Sequence, residues 1–318
     1  MQKITIKNTD LSFAPIIFGG NVFGWTLDEK GSFAILDAFV DVGFQAIDTA
    51  NQYSHWVTGN RGGESETILG DWMKSRGNRS NIVLMTKVGG VFADNPSPNT
   101  TRLHILEQVD ASLRRLQTDY IDLYQTHFDQ EETPVEETLR AYEDLIKAGK
   151  VRFIGASNLS PARLKESLEA SHKLELPAYV SLQPEYNLYS RAGFEQHYLG
   201  IAQGYELSVI PYFSLASGFL TGKYQHEDDF AKSVRGAGVK NQYWNVRGEK
   251  IVKALVYVAD ENKTNPAAVA LAWLLHQPTV AAPIASATKA LHLQPFVDAV
   301  ELKLTKEALI LLDEASRY

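Results

Sequence analysis

The chain contains no cysteine, which removes disulfides, thiolate zinc sites and a thiol nucleophile together. It has no cluster of lysine and arginine, and its formal net charge is −7. An acidic chain without a basic stripe is a poor match for a polyanion, so nucleic acid is not an expected partner. No segment is apolar enough to span a bilayer, and residues 1–7 alternate apolar and polar where a signal sequence would need an apolar core. The expectation is a cytoplasmic protein with no membrane contact. Linkers rich in glycine, serine or proline are missing, as are low-complexity tracts, so residues 1–318 are expected to form a single domain. The fingerprint G-x-G-x-x-G of open dinucleotide-binding sheets is absent as well: Gly236-Ala237-Gly238 has neither the third glycine nor a preceding strand.

What is present is an ordinary globular balance, 44% hydrophobic and 22% charged over 318 residues, enough for a large α/β domain. The pattern alternates. After a short hairpin, with Ile4 and Ile6 on one face and Asn8-Thr9-Asp10 near the turn, short apolar runs near 16–18, 44–48, 82–87, 120–127, 151–155, 178–182, 207–211 and 280–284 read as eight strands. Between them lie helical stripes such as Phe33, Leu36, Phe39 and Val40, stopped by Gly43, and Leu103, Leu106, Val109, Leu113 and Leu116. Thr133-Pro134-Val135-Glu136 has the form of an N-cap, a first-turn proline and a glutamate three after the cap. Ser160-Pro161 and Asn265-Pro266 open helices in the same way, and Thr305 is placed to cap the last one. Residues 214–247 break the alternation, are rich in glycine and aromatics, and are too long for a routine connector, so they read as a functional loop. Eight strands alternating with helices require a parallel sheet. The expected fold is a (β/α)8 TIM barrel with an N-terminal β-hairpin and long βα loops at its C-terminal face.

In such a barrel the residues just beyond each strand converge on one mouth. Here they are Gly19, Gly20 and Asn21; Asp48 and Tyr53; Lys87; His127; Ser157 and Asn158; Gln183; Tyr212 to Ser217; and Ser286 to Lys289. Taken alone, Asp48 also reads as a helix cap and Tyr53 as an ordinary loop aromatic. Together the four ionisable types make chemical sense. The Lys87 ammonium is expected to lower the ordinarily high pKa of the Tyr53 phenol, Asp48 to hold the lysine, and His127 to orient a carbonyl oxygen or share the proton. This set supplies protons and charge stabilisation but no nucleophile, metal or redox centre. The electrons would come from a bound nicotinamide dinucleotide.

With these residues in view, the chain resembles the aldo-keto reductase family from its first strand to its last. The resemblance rests on Ile47-Asp48-Thr49-Ala50 with Tyr53 following, on Thr86-Lys87, on Gln125-Thr126-His127, and on Gly149-Lys150-Val151-Arg152-Phe153-Ile154-Gly155-Ala156-Ser157-Asn158. It implies that Asp48, Tyr53, Lys87 and His127 are a catalytic tetrad, with Tyr53 the general acid in reducing aldehydes or ketones to alcohols, reversibly. It implies that Ser157, Asn158 and Gln183 bind the nicotinamide carboxamide and that Tyr212 stacks on the ring, with Gly20 and Asn21 also at the cofactor. Ser214-Leu215-Ala216-Ser217-Gly218 through Lys223 is similar to the loop that covers the pyrophosphate in bacterial members. Near the C-terminal end Ser286, Thr288, Lys289 and His292 are the implied contacts. His292 and Phe296 stand where the family carries Gln and Asn, and Lys289 is the evident phosphate partner. Family habit favours NADP(H), and the residues leave NAD(H) open. The implied partner is a small carbonyl or alcohol substrate.

A second reading is a dinucleotide-binding, redox-sensing regulatory subunit with little turnover, a role some members of the family play. A third is a phosphate-sugar isomerase on the same barrel, which would need a carboxylate base and a phosphate clamp. Lys223 follows Gly218-x-x-x-Gly222 but lacks the spacing and the hydroxyl residue of a nucleotide-triphosphate loop. His55, His104, His172, His197, His226 and His276 have no ligand spacing, and no metal site is expected. Trp25, Trp56 and Phe92 read equally as a substrate wall or as cover for the rim, whereas Trp72 and Trp273 sit on helical stripes and read as packing.

Overall fold

The computed structural model describes residues 1–92, 97–232 and 236–318; part of the long loop singled out above, 233–235, lies outside them. A hairpin of β1 (Ile4–Thr5) and β2 (Ser12–Phe13) precedes eight parallel strands: β3 (Ile17–Gly19), β4 (Ala46–Asp48), β5 (Val83–Val88), β6 (Ile121–Thr126), β7 (Val151–Ser157), β8 (Ser181–Gln183), β9 (Ser208–Val209) and β10 (Ile284–Ala285). Their spatial order is β10-β3-β4-β5-β6-β7-β8-β9. The sheet closes on itself, because Val209 donates to Thr279 O at 2.9 Å and accepts from Ala281 N at 2.8 Å, and Ile284 N reaches Pro211 O at 2.9 Å. The fold is the expected (β/α)8 barrel.

The crossovers are α1 (Glu29–Asp41), α2 (Glu64–Arg76), α3 (Arg102–Leu116), α4 (Val135–Lys147), α5 (Pro161–Leu174), the short pair α6 (Ala192–His197) and α7 (Leu199–Gly204), then α8 (Gly236–Tyr243), α9 (Val246–Glu261) and α10 (Pro266–Leu275), with α11 (Gln294–Glu301) and α12 (Lys306–Ala315) after β10. Side-chain caps start several of them: Ser160 Oγ accepts from Arg163 N, Asn265 Oδ1 from Ala268 N, and Thr305 Oγ1 from Ala308 N. The box expected at Thr133 does not form. The Thr133 hydroxyl donates to Gln130 Oε1 at 3.1 Å, its carbonyl is taken by Arg163, and α4 starts one residue later than expected, with Pro134 as an uncapped lead-in. The stretch 214–247 is not irregular throughout; it carries short 3-10 helices at Ala216–Thr221 and Glu227–Lys232 and then α8. No helix among the described residues is long and apolar enough to cross a membrane.

Two apolar clusters follow from the two-residue period of the strands. Phe18, Ile47, Leu84 and Tyr124 point outward and pack under the helices, where Trp72 and Trp273 are fully buried and donate to Asp37 and Asp313. Ile17, Ala46, Met85, Leu123, Ile210, Ala282 and Ile284 point inward and meet Ile6, Leu11 and Phe13 of the hairpin, which stops the barrel from below. Arg152 fastens this stopper. One arm of its guanidinium donates to both oxygens of Asp10, at 2.7 and 2.8 Å, and the other to Asp122 at 2.6 Å. One step up each strand, the inward side chains become polar, and that layer is the floor of the candidate site.

If the hairpin is the floor of the core, truncating its buried ring should be costly. Phe13→Ala is expected to lose about 3–5 kcal/mol of unfolding free energy in a urea titration; a loss below about 1 kcal/mol would contradict the stopper role.

Candidate active site

The inward positions one step above the apolar layer are Asp48, Lys87, Gln125 and Gln183, on β4, β5, β6 and β8. They form one hydrogen-bonded layer. Lys87 Nζ donates to Asp48 Oδ2 at 2.5 Å, to the Thr49 carbonyl at 2.8 Å and to the Tyr53 hydroxyl at 2.8 Å. An ammonium has three hydrogens and no lone pair, so these contacts use all of it. The other oxygen of Asp48 accepts from Gln125 Nε2 at 2.9 Å and Gln183 Nε2 at 3.1 Å, and the two glutamines are themselves joined at 3.0 Å. The lysine and aspartate side chains are 0% and 1% exposed. Gly155 makes room for the layer: a Cβ there would lie 2.4 Å from Ser181 Oγ and 3.1 Å from Gln125 Cγ.

Tyr53 arrives from the turn after β4. Its oxygen accepts from Lys87, so its own O–H hydrogen is free for a different acceptor, and among the described residues it has none. Burial pushes this phenol above its ordinary range, and the charge of Lys87, itself neutralised by Asp48, pulls it down by less. The expected lowering by Lys87 is therefore outweighed, and Tyr53 is a neutral phenol at physiological pH. Burial also works against the ammonium of Lys87, yet Asp48 and Tyr53 prevail and raise it.

His127 follows β6 and packs beside Tyr53, with ring centroids 5.9 Å apart; it also stacks on Phe128 at 4.6 Å. Burial, then Lys87 and His55, press it well below the usual imidazole range, so its ring is neutral. Its buried Nδ1 has no hydrogen-bond partner among the described residues. Trp25, Trp56, His55 and Phe92 form an aromatic arc next to Tyr53: Trp56 lies 6.1 Å from Tyr53, 5.7 Å from Trp25 and 5.4 Å from His55, which is 6.4 Å from Phe92. Trp56 is 43% exposed, so the arc lines the mouth rather than filling the core.

The other expected contacts group on the opposite flank. Ser157 Oγ donates to Gln183 O at 2.9 Å. Asn158, with a left-handed backbone at φ 53°, donates to the His127 carbonyl at 2.9 Å and accepts from the Tyr212 hydroxyl at 2.9 Å. Gln183 spends its amide nitrogen on Asp48 and Gln125. Ser214 is buried and closes the turn by donating to Pro211 O at 3.0 Å, so its hydroxyl faces the protein. Beyond it, Phe213, Ala216, Ser217 and Gly218 all have positive φ, at 53°, 47°, 55° and 91°, and Leu215 O accepts from Gly218 N at 2.8 Å. Left-handed backbone at bulky residues is strained and concentrates at working loops. Gly20 packs beneath Asp48, its carbonyl accepting from Ser65. The Ser286 hydroxyl lies 2.7 Å from Gly19 O and 2.8 Å from Asn21 Oδ1. Thr288, Lys289 and His292 are exposed. His292 is held below the usual imidazole range by burial and by the charges of Lys289 and Lys223, which brings three basic side chains into one field. Phe296 is a core residue set edge-on against Phe44 at 6.5 Å.

The sequence reading gave no role to Gln125, to the Thr49 carbonyl or to Ser65. Gln125 had a signal, since it stands two residues before His127 on a strand and therefore points inward beside Lys87. A backbone carbonyl carries no such signal. Among the described residues no three His, Asp or Glu side chains gather as metal ligands would.

Comparison with known proteins agrees with this geometry. The "Aldo/keto reductase family" model matches residues 15–317. The "Uncharacterized oxidoreductase YrpG" of Bacillus subtilis is 33% identical across 99% of this chain and 95% of its own length. The "Aldo-keto reductase YhdN" of the same organism is 36% identical across 72% and 67%, and a "Probable voltage-gated potassium channel subunit beta" of Arabidopsis thaliana is 32% identical across 95% and 92%. The chain belongs to the aldo/keto reductase family.

Proposed function

We propose that residues 1–318 act as one cytoplasmic, NAD(P)H-dependent oxidoreductase unit that reduces small aldehydes or ketones to alcohols and runs in reverse on alcohols. The observation that carries this reading is the Tyr53 hydroxyl, which accepts from Lys87 and keeps an unused acidic hydrogen at the mouth. A carbonyl oxygen placed there receives that hydrogen as negative charge develops on it. Lys87, held by Asp48 and Thr49, stabilises the phenolate left behind. His127, as a neutral imidazole, steers the carbonyl by hydrogen bonding, and the arc of Trp25, Trp56 and Phe92 sheds water from the reacting carbon.

The flank from Ser157 to His292 fits a dinucleotide. It offers the Ser157 and Asn158 side chains and the Gln183 oxygen to a carboxamide, the Tyr212 ring for stacking, a strained loop from Leu215 to Gly218 whose backbone can meet a pyrophosphate, and Lys223, Lys289 and His292 as its basic end. When bound, the reduced nicotinamide supplies the hydride. The two basic lysines favour the phosphorylated dinucleotide, NADP(H). The likeness to a potassium-channel β subunit supports a second reading, a redox-sensing subunit that binds the dinucleotide and turns over little.

Oxidation of NADPH followed by absorbance against a panel of simple aldehydes separates the two: the enzymatic reading expects turnover, and tight binding with negligible turnover favours the sensor. Tyr53→Phe is expected to lower kcat about 10²- to 10⁴-fold with cofactor affinity nearly intact, and undiminished turnover would refute its role. Lys289→Met should weaken NADPH by about tenfold while leaving NADH little changed, as read by fluorescence titration.

The depressed His127 also fixes a sign for stability. The unfolded chain takes up a proton near pH ~6.5 that the folded site refuses, so stability falls as pH drops through that value. Unfolding free energy measured at neutral pH and about one and a half units lower should decline less in His127→Gln than in the parent; equal declines would show that the imidazole is not held neutral.

A further inference from the structure

A second cavity, of about 310 Å³, opens over β8 between α6 and the turn after β9. Of the residues assigned above it shares only Asn158 and Tyr212; Tyr53, Lys87 and His127 do not line it. A space of this size is within the range of small-molecule sites. Its wall is aromatic, built chiefly from Tyr189, Tyr198, Tyr212 and Phe194, and three charged groups face it: Glu185, Arg191 and Arg247.

Arg191 is already satisfied, donating to Glu195 at 2.8 Å and to Asp313 at 2.8 Å. Arg247 is different. It donates to two backbone carbonyls, Ser316 O at 2.7 Å and Arg317 O at 3.1 Å, and lies 4.8 Å from the Tyr189 ring, and among the described residues no carboxylate pairs with it. Burial holds its guanidinium below the usual range; Tyr189 works against that and Arg191 adds to it. Glu185 is half-buried and likewise has no side-chain partner among the described residues. It lines the cavity together with Tyr189, Tyr198 and Tyr212.

The cavity therefore holds one unpaired cation and one unpaired anion that do not reach each other. Partly desolvated charges without partners are unfavourable, and a ligand that brings an opposite charge to each relieves both. A single anion or a single cation relieves only one. We infer that this cavity is a binding site for a small zwitterion with an aromatic body, its carboxylate met by Arg247, its ammonium by Glu185, and its ring among Tyr189, Tyr198, Tyr212 and Phe194. The cavity shares Asn158 and Tyr212 with the proposed dinucleotide flank, but none of the groups assigned to proton transfer takes part.

Calorimetric titration of the full chain with L-phenylalanine, benzoate and phenethylamine tests it. L-phenylalanine is expected to bind at least about tenfold tighter than either singly charged analogue. Glu185→Gln should reduce its affinity to that of benzoate, and Arg247→Met to that of phenethylamine. Because Arg247→Met also releases the Ser316 and Arg317 carbonyls, Arg247→Lys and a thermal melt of each variant accompany it, and Glu185→Gln tests the site without touching those bonds. Absence of binding by L-phenylalanine at about 10 mM, benzoate binding as tightly as L-phenylalanine, or wild-type affinity in Glu185→Gln would overturn the assignment.

Discussion

The ion pair between Lys87 and Asp48 is the constraint around which the upper barrel is arranged. Two opposite charges with no solvent contact are unfavourable unless every remaining donor and acceptor is met, and here the sequence meets them one strand at a time. Thr49 and Tyr53 take the other two hydrogens of the ammonium, and Gln125 and Gln183 fill the second oxygen of the carboxylate. Strands β4, β5, β6 and β8 are thereby tied by side chains at the level where their backbones end. The pair also fixes the chemistry. Because Lys87 can only donate, Tyr53 must accept, and its own hydrogen is turned loose at the mouth.

That polar layer exists because the layer beneath it is dry. Ile17, Ala46, Met85 and Leu123 fill the barrel together with Phe13 and Leu11 from the hairpin, so the ammonium stands on a buried apolar layer. The same dryness explains why Tyr53 is not the depressed phenol that a neighbouring lysine would produce in water. Desolvation acts on phenolate and ammonium alike; at the lysine Asp48 and Tyr53 outweigh it, whereas at the phenol the pull of Lys87 falls short of it. A phenol kept neutral in this way suits proton donation. The strained turn from Phe213 to Gly218 and the field of Lys223, Lys289 and His292 lie on the other flank, so the basic end is kept apart from Tyr53.

Much of this could be seen in the amino-acid order because strand ends are short and periodic. Asp48, Lys87 and His127 each close an apolar run, and once eight such runs are read as parallel their ends must meet. The helix starts at Ser160, Asn265 and Thr305 were equally legible, since a cap needs only its own three residues. The start at Thr133 was not, because Gln130 and Arg163 compete for the same threonine, and that competition is tertiary. The phenol of Tyr53 failed for a related reason: pairwise charge can be read from neighbours, but the amount of water removed cannot. That Trp56 packs edge-on beside Tyr53 could not be read from the sequence, because that contact is tertiary. The second cavity was invisible, as Glu185 and Arg247 belong to segments with no shared pattern.

The central claim is that Tyr53 holds a proton against the charge of Lys87 until a substrate oxygen takes it. The direct measurement is a pH titration of tyrosine ring carbons by NMR, with the Tyr53 signal assigned by its absence in Tyr53→Phe. A phenol that stays protonated beyond the free-tyrosine value of about 10 is the predicted result. Ionisation of Tyr53 well below that value would contradict the account.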